Sequence, residues 1–78
     1  MTIAAYVFIT TTNPGPRRAV QAIRTLRGVV RADALFGTPD AIAIVEGEGL
    51  GSMDEVIDRI VDVPEVIATE TKVARWIS

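Results

Sequence analysis

The sequence predicts an α+β domain with the element order βαββαβ, in which two helices cover one face of a four-stranded antiparallel sheet. One observation is the alternation between a two-residue and a 3.6-residue hydrophobic period along the 78 residues. The other is that the two halves align without a gap at an offset of 37 residues, which pairs Val7 with Ile44 and Ile23 with Ile60. A βαβ unit repeated in tandem gives the ferredoxin-like plait. We expect residues 1–78 to form a single domain.

The first half begins with a strand over residues 3–12 that is apolar on both sides. Val7 and Ile9 fall on one face, whereas Tyr6 and Phe8 fall on the other. The run 13–15 (Asn-Pro-Gly) breaks the strand, and a helix is predicted from the next residue, a proline, to residue 27. Its apolar stripe has helical spacing and consists of Ala19, Val20, Ile23 and Leu26.

The second half follows a glycine at position 28, where the first helix is expected to end. Strands are predicted over residues 29–36 and 41–46, joined by a tight turn at 37–40. Ser52 and Glu55 form a capping-box pattern at the start of a second helix, which Val63-Pro64 terminates. The last strand is predicted from Val66 to about Trp76.

The composition favours self-association. A chain of 78 residues buries a limited core, and without Cys or His it has no disulfide and lacks the usual metal ligands. Hydrophobic residues make up 49% of the sequence, and the predicted helices cover only one face of the sheet. We therefore expect a second copy to cover the other face, with Tyr6 and Phe8 in the dimer interface.

Several function classes find no support in the sequence. The absence of Cys and His removes the commonest nucleophiles and bases, so we predict no catalytic residue, no metal site, no cofactor and no enzymatic activity. A net charge of −2 and a pI near 4.9 argue against direct binding of nucleic acid. Without a long apolar run or a signal-peptide pattern, no membrane association is expected and a cytoplasmic location is predicted.

Charge is distributed unevenly between the two predicted helices. The first helix carries only basic charges (Arg17, Arg18, Arg24 and Arg27), whereas the second is mainly acidic (Asp54, Glu55, Asp58 and Asp62, against Arg59). We expect ion pairs between the two helices within one chain. The alternative is that the basic helix of one copy meets the acidic helix of another.

Four stretches of the sequence resemble the ligand-binding domain of the Lrp/AsnC transcription regulators, also called the RAM domain. They are residues 5–9 (Ala-Tyr-Val-Phe-Ile), 29–33 (Val-Val-Arg-Ala-Asp), 36–40 (Phe-Gly-Thr-Pro-Asp) and 69–71 (Thr-Glu-Thr). The Gly-x-x-Asp turn and the late Thr-x-Thr are the more specific of these. The turn departs from the common family form Thr-Gly-x-Tyr-Asp at Phe36 and Pro39.

The resemblance implies a sensing and assembly module. Family members usually carry an N-terminal helix-turn-helix domain. Here the first strand is predicted directly after Met1, so we expect a stand-alone ligand-binding domain without the helix-turn-helix. By resemblance, the domain forms a homodimer through its sheets, and dimers assemble into rings of the octamer or decamer class. A small effector, typically an amino acid, is expected between dimers near the turn, and a DNA-binding family member is a possible partner.

The ligand-binding residues predicted on this basis are Gly37, Thr38, Asp40, Thr69 and Thr71. Backbone N–H groups at a glycine turn can hold a carboxylate, while Asp40 can accept from an ammonium group. The alternative is that Asp40 only closes the turn by bonding its own backbone. Thr69 and Thr71 would complete the site with their hydroxyls, although threonine is also an ordinary strand residue.

Three other functions remain open at this point. An ACT-type amino-acid-binding domain has the same element order, and its ligand-contacting glycine would correspond to Gly15 in the first strand-to-helix turn. A dimeric α+β barrel enzyme shares the plait but normally places a polar residue inside the barrel. A structural oligomerisation module without ligand is the third possibility.

Overall fold

The sheet is built around the first strand. In the computed structural model, which describes residues 2–75 and 77, the strands follow the order β2-β3-β1-β4 and all pair antiparallel. The elements are β1 (Ile3–Thr11), α1 (Arg17–Ile23), β2 (Val29–Ala34), β3 (Ala41–Gly47), α2 (Leu50–Val61) and β4 (Val66–Val73). The structure confirms the predicted ferredoxin-like α+β plait. Strands β2 and β4 form the two edges of the sheet.

The core lies between the two helices and one face of the sheet. Val7 and Ile9 of β1 are fully buried there, opposite Ala43 and Ala41 of β3. Ala19, Val20 and Ile23 of the predicted α1 stripe are buried on this face, Leu26 is partly buried, and α2 buries Met53, Val56 and Ile60 there. The strand alternation and the helical spacing therefore predicted the core correctly.

Helix α1 is shorter than predicted, because it ends at Ile23 instead of residue 27. After Ile23, hydrogen bonds span three residues instead of four. The N–H of Thr25 donates to the carbonyl of Ala22 at 3.1 Å, and the Thr25 hydroxyl donates to the same carbonyl at 2.7 Å. The chain then turns at Gly28, whose φ of 95° lies in the left-handed region. A β-carbon at Gly28 would overlap the side chain of Val56 on α2, so the turn needs glycine for space as well as conformation.

Helix α2 begins earlier than predicted. Its first residue is Leu50 and its N-cap is Gly49, so Ser52 occupies the third helical position instead of the cap. The Ser52 hydroxyl accepts from the N–H of Gly49 at 3.2 Å and donates to the carbonyl of Gly49 at 3.1 Å. The predicted cap at Ser52 with Glu55 was wrong, since the serine reaches back to a glycine cap.

Three strands are also shorter than predicted, and β1 ends one residue early, at Thr11. Strand β2 ends at Ala34, which leaves Leu35 and Phe36 in the connection to β3, with Phe36 fully exposed. Strand β4 ends at Val73, and Trp76, where the prediction placed its end, lies outside the described residues.

The predicted ion pairs between the helices do not form among residues 2–75. Arg24 of α1 instead pairs with Asp33 of β2 at 3.5 Å, and Arg59 of α2 donates to the backbone carbonyl of Arg27 at 3.4 Å. For Arg24 and Arg59, the acceptors are thus the neighbouring strand and the backbone instead of the other helix. In the described part of the chain, no helix is both long and apolar enough to span a bilayer.

Candidate functional site

Asp40, at the end of the connection between β2 and β3, is bonded to the end of β1. Its two carboxylate oxygens accept from the backbone N–H of Thr11 at 2.9 Å and from the Thr11 hydroxyl at 2.6 Å. Its backbone N–H donates to the carbonyl of Ile9 at 3.0 Å, and its carbonyl accepts from the N–H of Leu35 at 2.8 Å. The carboxylate thus joins the turn to β1 and does not bond its own turn, contrary to the alternative that the sequence left open.

Gly37 and Thr38 form the exposed tip of the same connection. Gly37 has a φ of 107°, and a β-carbon built on it would meet nothing within 4 Å. Within the described ranges, no backbone carbonyl accepts from the N–H of Gly37 or Thr38. The tip therefore offers two backbone donors, next to an aspartate that retains a second lone pair on each oxygen.

Thr69 and Thr71 lie on β4, on the opposite side of β1 from the turn. They pair with Ile9 and Val7 of β1, so both side chains are on the helix-covered face, where they are half-buried. Since Ala41 also pairs with Ile9 from the other side, two strand spacings of about 4.8 Å separate the start of β3 from Thr69. The buried side chain of Ile9 lies between them.

The five predicted ligand-binding residues consequently do not form one cavity within a protomer. Four surface cavities of the described residues have a defined lining, and the turn residues 37–40 line none of these four. Thr71 contributes to a groove of about 540 Å³ between β4 and α2, together with Leu50 and Ile57. A ligand that touches both groups must lie over the end of β1 or between protomers.

The face of the sheet without helices carries an apolar patch in its two central strands. Tyr6 is 42% exposed and pairs with Ile44, and Phe8 pairs with Ile42 in the next position on the same face. We call these four residues the open-face patch. The predicted interface residues Tyr6 and Phe8 therefore lie where the sequence placed them, on the uncovered side.

Charged residues border the open-face patch on both edge strands. Strand β2 contributes Arg31 and Asp33, which form an ion pair at 2.6 Å, and β4 contributes Glu70 and Lys72, whose charged groups are 3.2 Å apart. An apolar centre with a polar border is the usual composition of a protein interface.

Sequence reasoning missed three contributors. Ile42 and Ile44 belong to the open-face patch, and the alternation within residues 41–46 was sufficient to group them on one face of their strand. Thr11, the partner of Asp40, gave no such signal, since 29 residues separate the two in sequence. Among the described residues, no cluster of His, Cys, Asp or Glu could hold a metal ion.

A family model described as the Lrp/AsnC ligand binding domain matches residues 4–75. The chain belongs to this family. The match favours this family over the ACT-type alternative. No curated protein matches the sequence.

Solved structures of similar size share the fold of this chain. TTHA0845 from Thermus thermophilus is 26% identical, with a TM-score of 0.88 over 97% of this chain and 96% of that chain. A hypothetical protein, PHS023 from Pyrococcus horikoshii, is 24% identical with a TM-score of 0.84, over 99% and 93% of the two chains.

A longer relative was solved with an amino acid. The transcriptional regulator NMB0573 from Neisseria meningitidis, in complex with L-Met, is 14% identical with a TM-score of 0.79. The match covers 95% of this chain and 50% of that chain, so this domain spans about half of the regulator.

Proposed function

We propose that this Lrp/AsnC ligand-binding domain is an effector-binding and oligomerisation module that responds to an amino acid and has no DNA-binding activity of its own. The observation that carries the proposal is the open-face patch, an apolar surface between two charged borders on a sheet that has helices on its other side only. Such a surface is suited to a second copy of the same domain.

A face-to-face homodimer accounts for the patch. Two sheets pack about 10 Å apart when their apolar faces meet, which brings the aromatic rings of Tyr6 and Phe8 against the partner's sheet. Further association of dimers into rings leaves the β2–β3 connection of one dimer free to approach the next dimer.

The effector site is proposed at the residues Gly37, Thr38 and Asp40 and is completed between protomers by Thr69 and Thr71. The N–H groups of Gly37 and Thr38 supply donors for a carboxylate, and Asp40 supplies an acceptor for an ammonium group. The L-Met complex of the meningococcal regulator supports an amino acid as the class of effector. Within one protomer the turn residues are too far from Thr69 and Thr71 to share a cavity with them. This favours a site to which two protomers contribute.

A purely structural oligomerisation module is the second candidate. The specific observation in its favour is that Asp40 already accepts two hydrogen bonds from Thr11, which gives the aspartate a role without any ligand. In that case the turn would only join β3 to β1.

Native mass spectrometry of the pure protein, with and without a panel of amino acids, tests the proposal. We expect a dimer or a larger assembly whose size distribution shifts with at least one amino acid, together with a heat of binding in calorimetry. A monomer at all concentrations would contradict the assembly. An assembly that shows neither a shift nor a heat would leave the structural module as the function.

The Asp40→Ala variant is expected to lose effector binding while the dimer persists. It also removes both acceptors of Thr11, so we expect about 1–3 kcal/mol of lost stability, measured by urea unfolding. Thr11→Val is the matched control, because it removes the hydroxyl bond but keeps the carboxylate. An equal loss of effector affinity in both variants would assign Asp40 to turn geometry instead of direct contact.

Co-assembly with a DNA-binding member of the family is the remaining part of the proposal. Mixing this domain with a full-length regulator and measuring mixed oligomers by native mass spectrometry tests it. We expect mixed species only when the open-face patch is intact, and their absence with the intact domain would contradict co-assembly.

A further inference from the structure

Phe36 is the most exposed large hydrophobic side chain among the described residues. It lies in the connection between β2 and β3, directly before Gly37, and no part of the protomer covers its ring. Burial of such a ring would stabilise any complex in which a second molecule covers it. The position of the ring beside the backbone donors of the proposed effector site makes it informative about what that second molecule is.

The backbone that carries Phe36 is held at its base. The N–H of Leu35 donates to the carbonyl of Asp40 at 2.8 Å, which closes a loop over residues 36–39. Asp40 is in turn tied to β1, because its N–H donates to the carbonyl of Ile9 at 3.0 Å and its carboxylate accepts two further bonds. A loop that is anchored in this way loses little conformational freedom when a ligand binds to its tip.

The space next to the ring is open. A β-carbon built on Gly37 would meet nothing within 4 Å, and in the described part of the chain no backbone carbonyl accepts from the N–H of Gly37 or Thr38. The Cα atoms of Phe36 and Gly37 are one step of about 3.8 Å apart. Aromatic rings interact at centroid separations of about 4.5–7 Å. A ligand whose carboxylate is bound at these N–H groups can therefore place its side chain against the ring.

We propose that Phe36 selects the effector, and that the effector is an amino acid with an aromatic side chain. Its ring packs on Phe36 while its carboxylate binds the N–H groups of Gly37 and Thr38 and its ammonium group binds Asp40. The inference rests on the proposed function and names the class of effector for the same site. Two aromatic rings gain a stacking or edge-to-face contact beyond the burial of their surface, which an aliphatic side chain does not provide.

Charged effector side chains fit this connection less well. Leu35 precedes Phe36 and Pro39 follows it, so the connection is largely apolar around the ring. Asp40 is the only ionisable residue in the segment 35–40, and the ammonium group of the effector engages it. A second charge on the effector would lose hydration without gaining a partner from this segment.

Calorimetric titration of the unmodified protein with L-phenylalanine, L-leucine and L-serine tests the inference. We expect L-phenylalanine to bind at least about fivefold more tightly than L-serine, with L-leucine between the two. If no amino acid binds at all, the proposed function is contradicted and the inference with it. If amino acids bind but L-phenylalanine has no advantage, the selection by Phe36 is overturned and the proposed function stands.

Variants of Phe36 show whether the ring is responsible. Phe36→Ala is expected to weaken L-phenylalanine binding at least about fivefold, and to weaken L-serine binding less. Phe36→Tyr keeps a ring and is expected to stay within about twofold of the unmodified protein, whereas Phe36→Leu should lose about two- to tenfold. Val30→Ala, which truncates another exposed apolar residue near the opposite end of β2, is the matched control and should change nothing.

Equal losses for L-phenylalanine and L-serine in Phe36→Ala would overturn the inference, because they would assign the residue to loop geometry. Native mass spectrometry of the same variant without any amino acid addresses a contact between protomers. We expect the same assembly as for the unmodified protein. A smaller assembly would mean that another protomer covers the ring, and it would overturn the inference as well.

Nuclear magnetic resonance of the ring protons provides a direct measurement, since Phe8 and Phe36 are the two phenylalanines of the chain. We expect L-phenylalanine to shift the ring signals of Phe36 more than those of Phe8, because ring currents act only at short range. L-serine has no ring and should shift the Phe36 signals much less. Phe36 signals that stay unchanged at saturating L-phenylalanine would rule the contact out.

Discussion

The two faces of the sheet carry similar side chains but have different surroundings. On the helix-covered face, Val7 and Ile9 of β1 have no exposed surface at all. On the other face of the same strand, Tyr6 is 42% exposed and Phe8 is half-buried. Hydrophobic side chains occur on both faces of the strand. Their difference in burial therefore comes from the helices, which cover only one face.

The helix-covered face stabilises the protomer through its own core, whereas the proposed dimer would bury the open face as well. Substitutions on adjacent residues of β1 therefore distinguish folding from assembly.

The largest effect is expected from Ile9→Ala on the covered face. Ile9 is fully buried, and truncation of such a residue removes about 2–5 kcal/mol from the free energy of unfolding. Urea unfolding measures it, with Phe8→Ala as the control on the neighbouring residue and opposite face. A greater loss for Phe8→Ala at concentrations where the protein is monomeric would reverse the assignment of the faces.

Tyr6→Asp is expected to act mainly on assembly. A carboxylate in the centre of the open-face patch loses its hydration without gaining a partner, so we expect the dimer dissociation constant to rise at least about thirtyfold. Sedimentation velocity measures the change, and circular dichroism checks that the fold is retained. An unchanged oligomer would mean that this face is not the interface.

Asp33→Asn, at the border of the open face, should have the smallest effect. Its ion pairs with Arg24 and Arg31 are solvent-exposed, and such pairs contribute about 0–1 kcal/mol. We expect a small change in thermal stability that decreases further in high salt. A loss comparable to that of Ile9→Ala would show that the border carries the stability now assigned to the core.

The sequence predicted the elements better than their ends. Periodicity in residues 3–12 and in the helical stripes reports which side chains share a face, and that depends only on local backbone geometry. The end of α1 at Ile23 and the N-cap at Gly49 were mispredicted, because a threonine hydroxyl, a glycine turn and a serine side chain redirect the backbone there.

The candidate site was predicted only in part. The Gly-x-x-Asp pattern located the turn, and the alternation of β1 located Tyr6 and Phe8. Neither could show that the Asp40 carboxylate is bonded to Thr11, or that Thr69 is two strand spacings away from the turn.

By itself, then, the sequence determined the order of the elements, the buried stripe of each helix and the face that each strand residue occupies. The tertiary structure decided how distant segments meet: Asp40 with Thr11, Arg24 with the backbone of Ala32, and Tyr6 with Ile44. Periodic patterns follow from geometry that repeats within one element. Contacts between elements depend on packing and strand register, which no short stretch of sequence encodes.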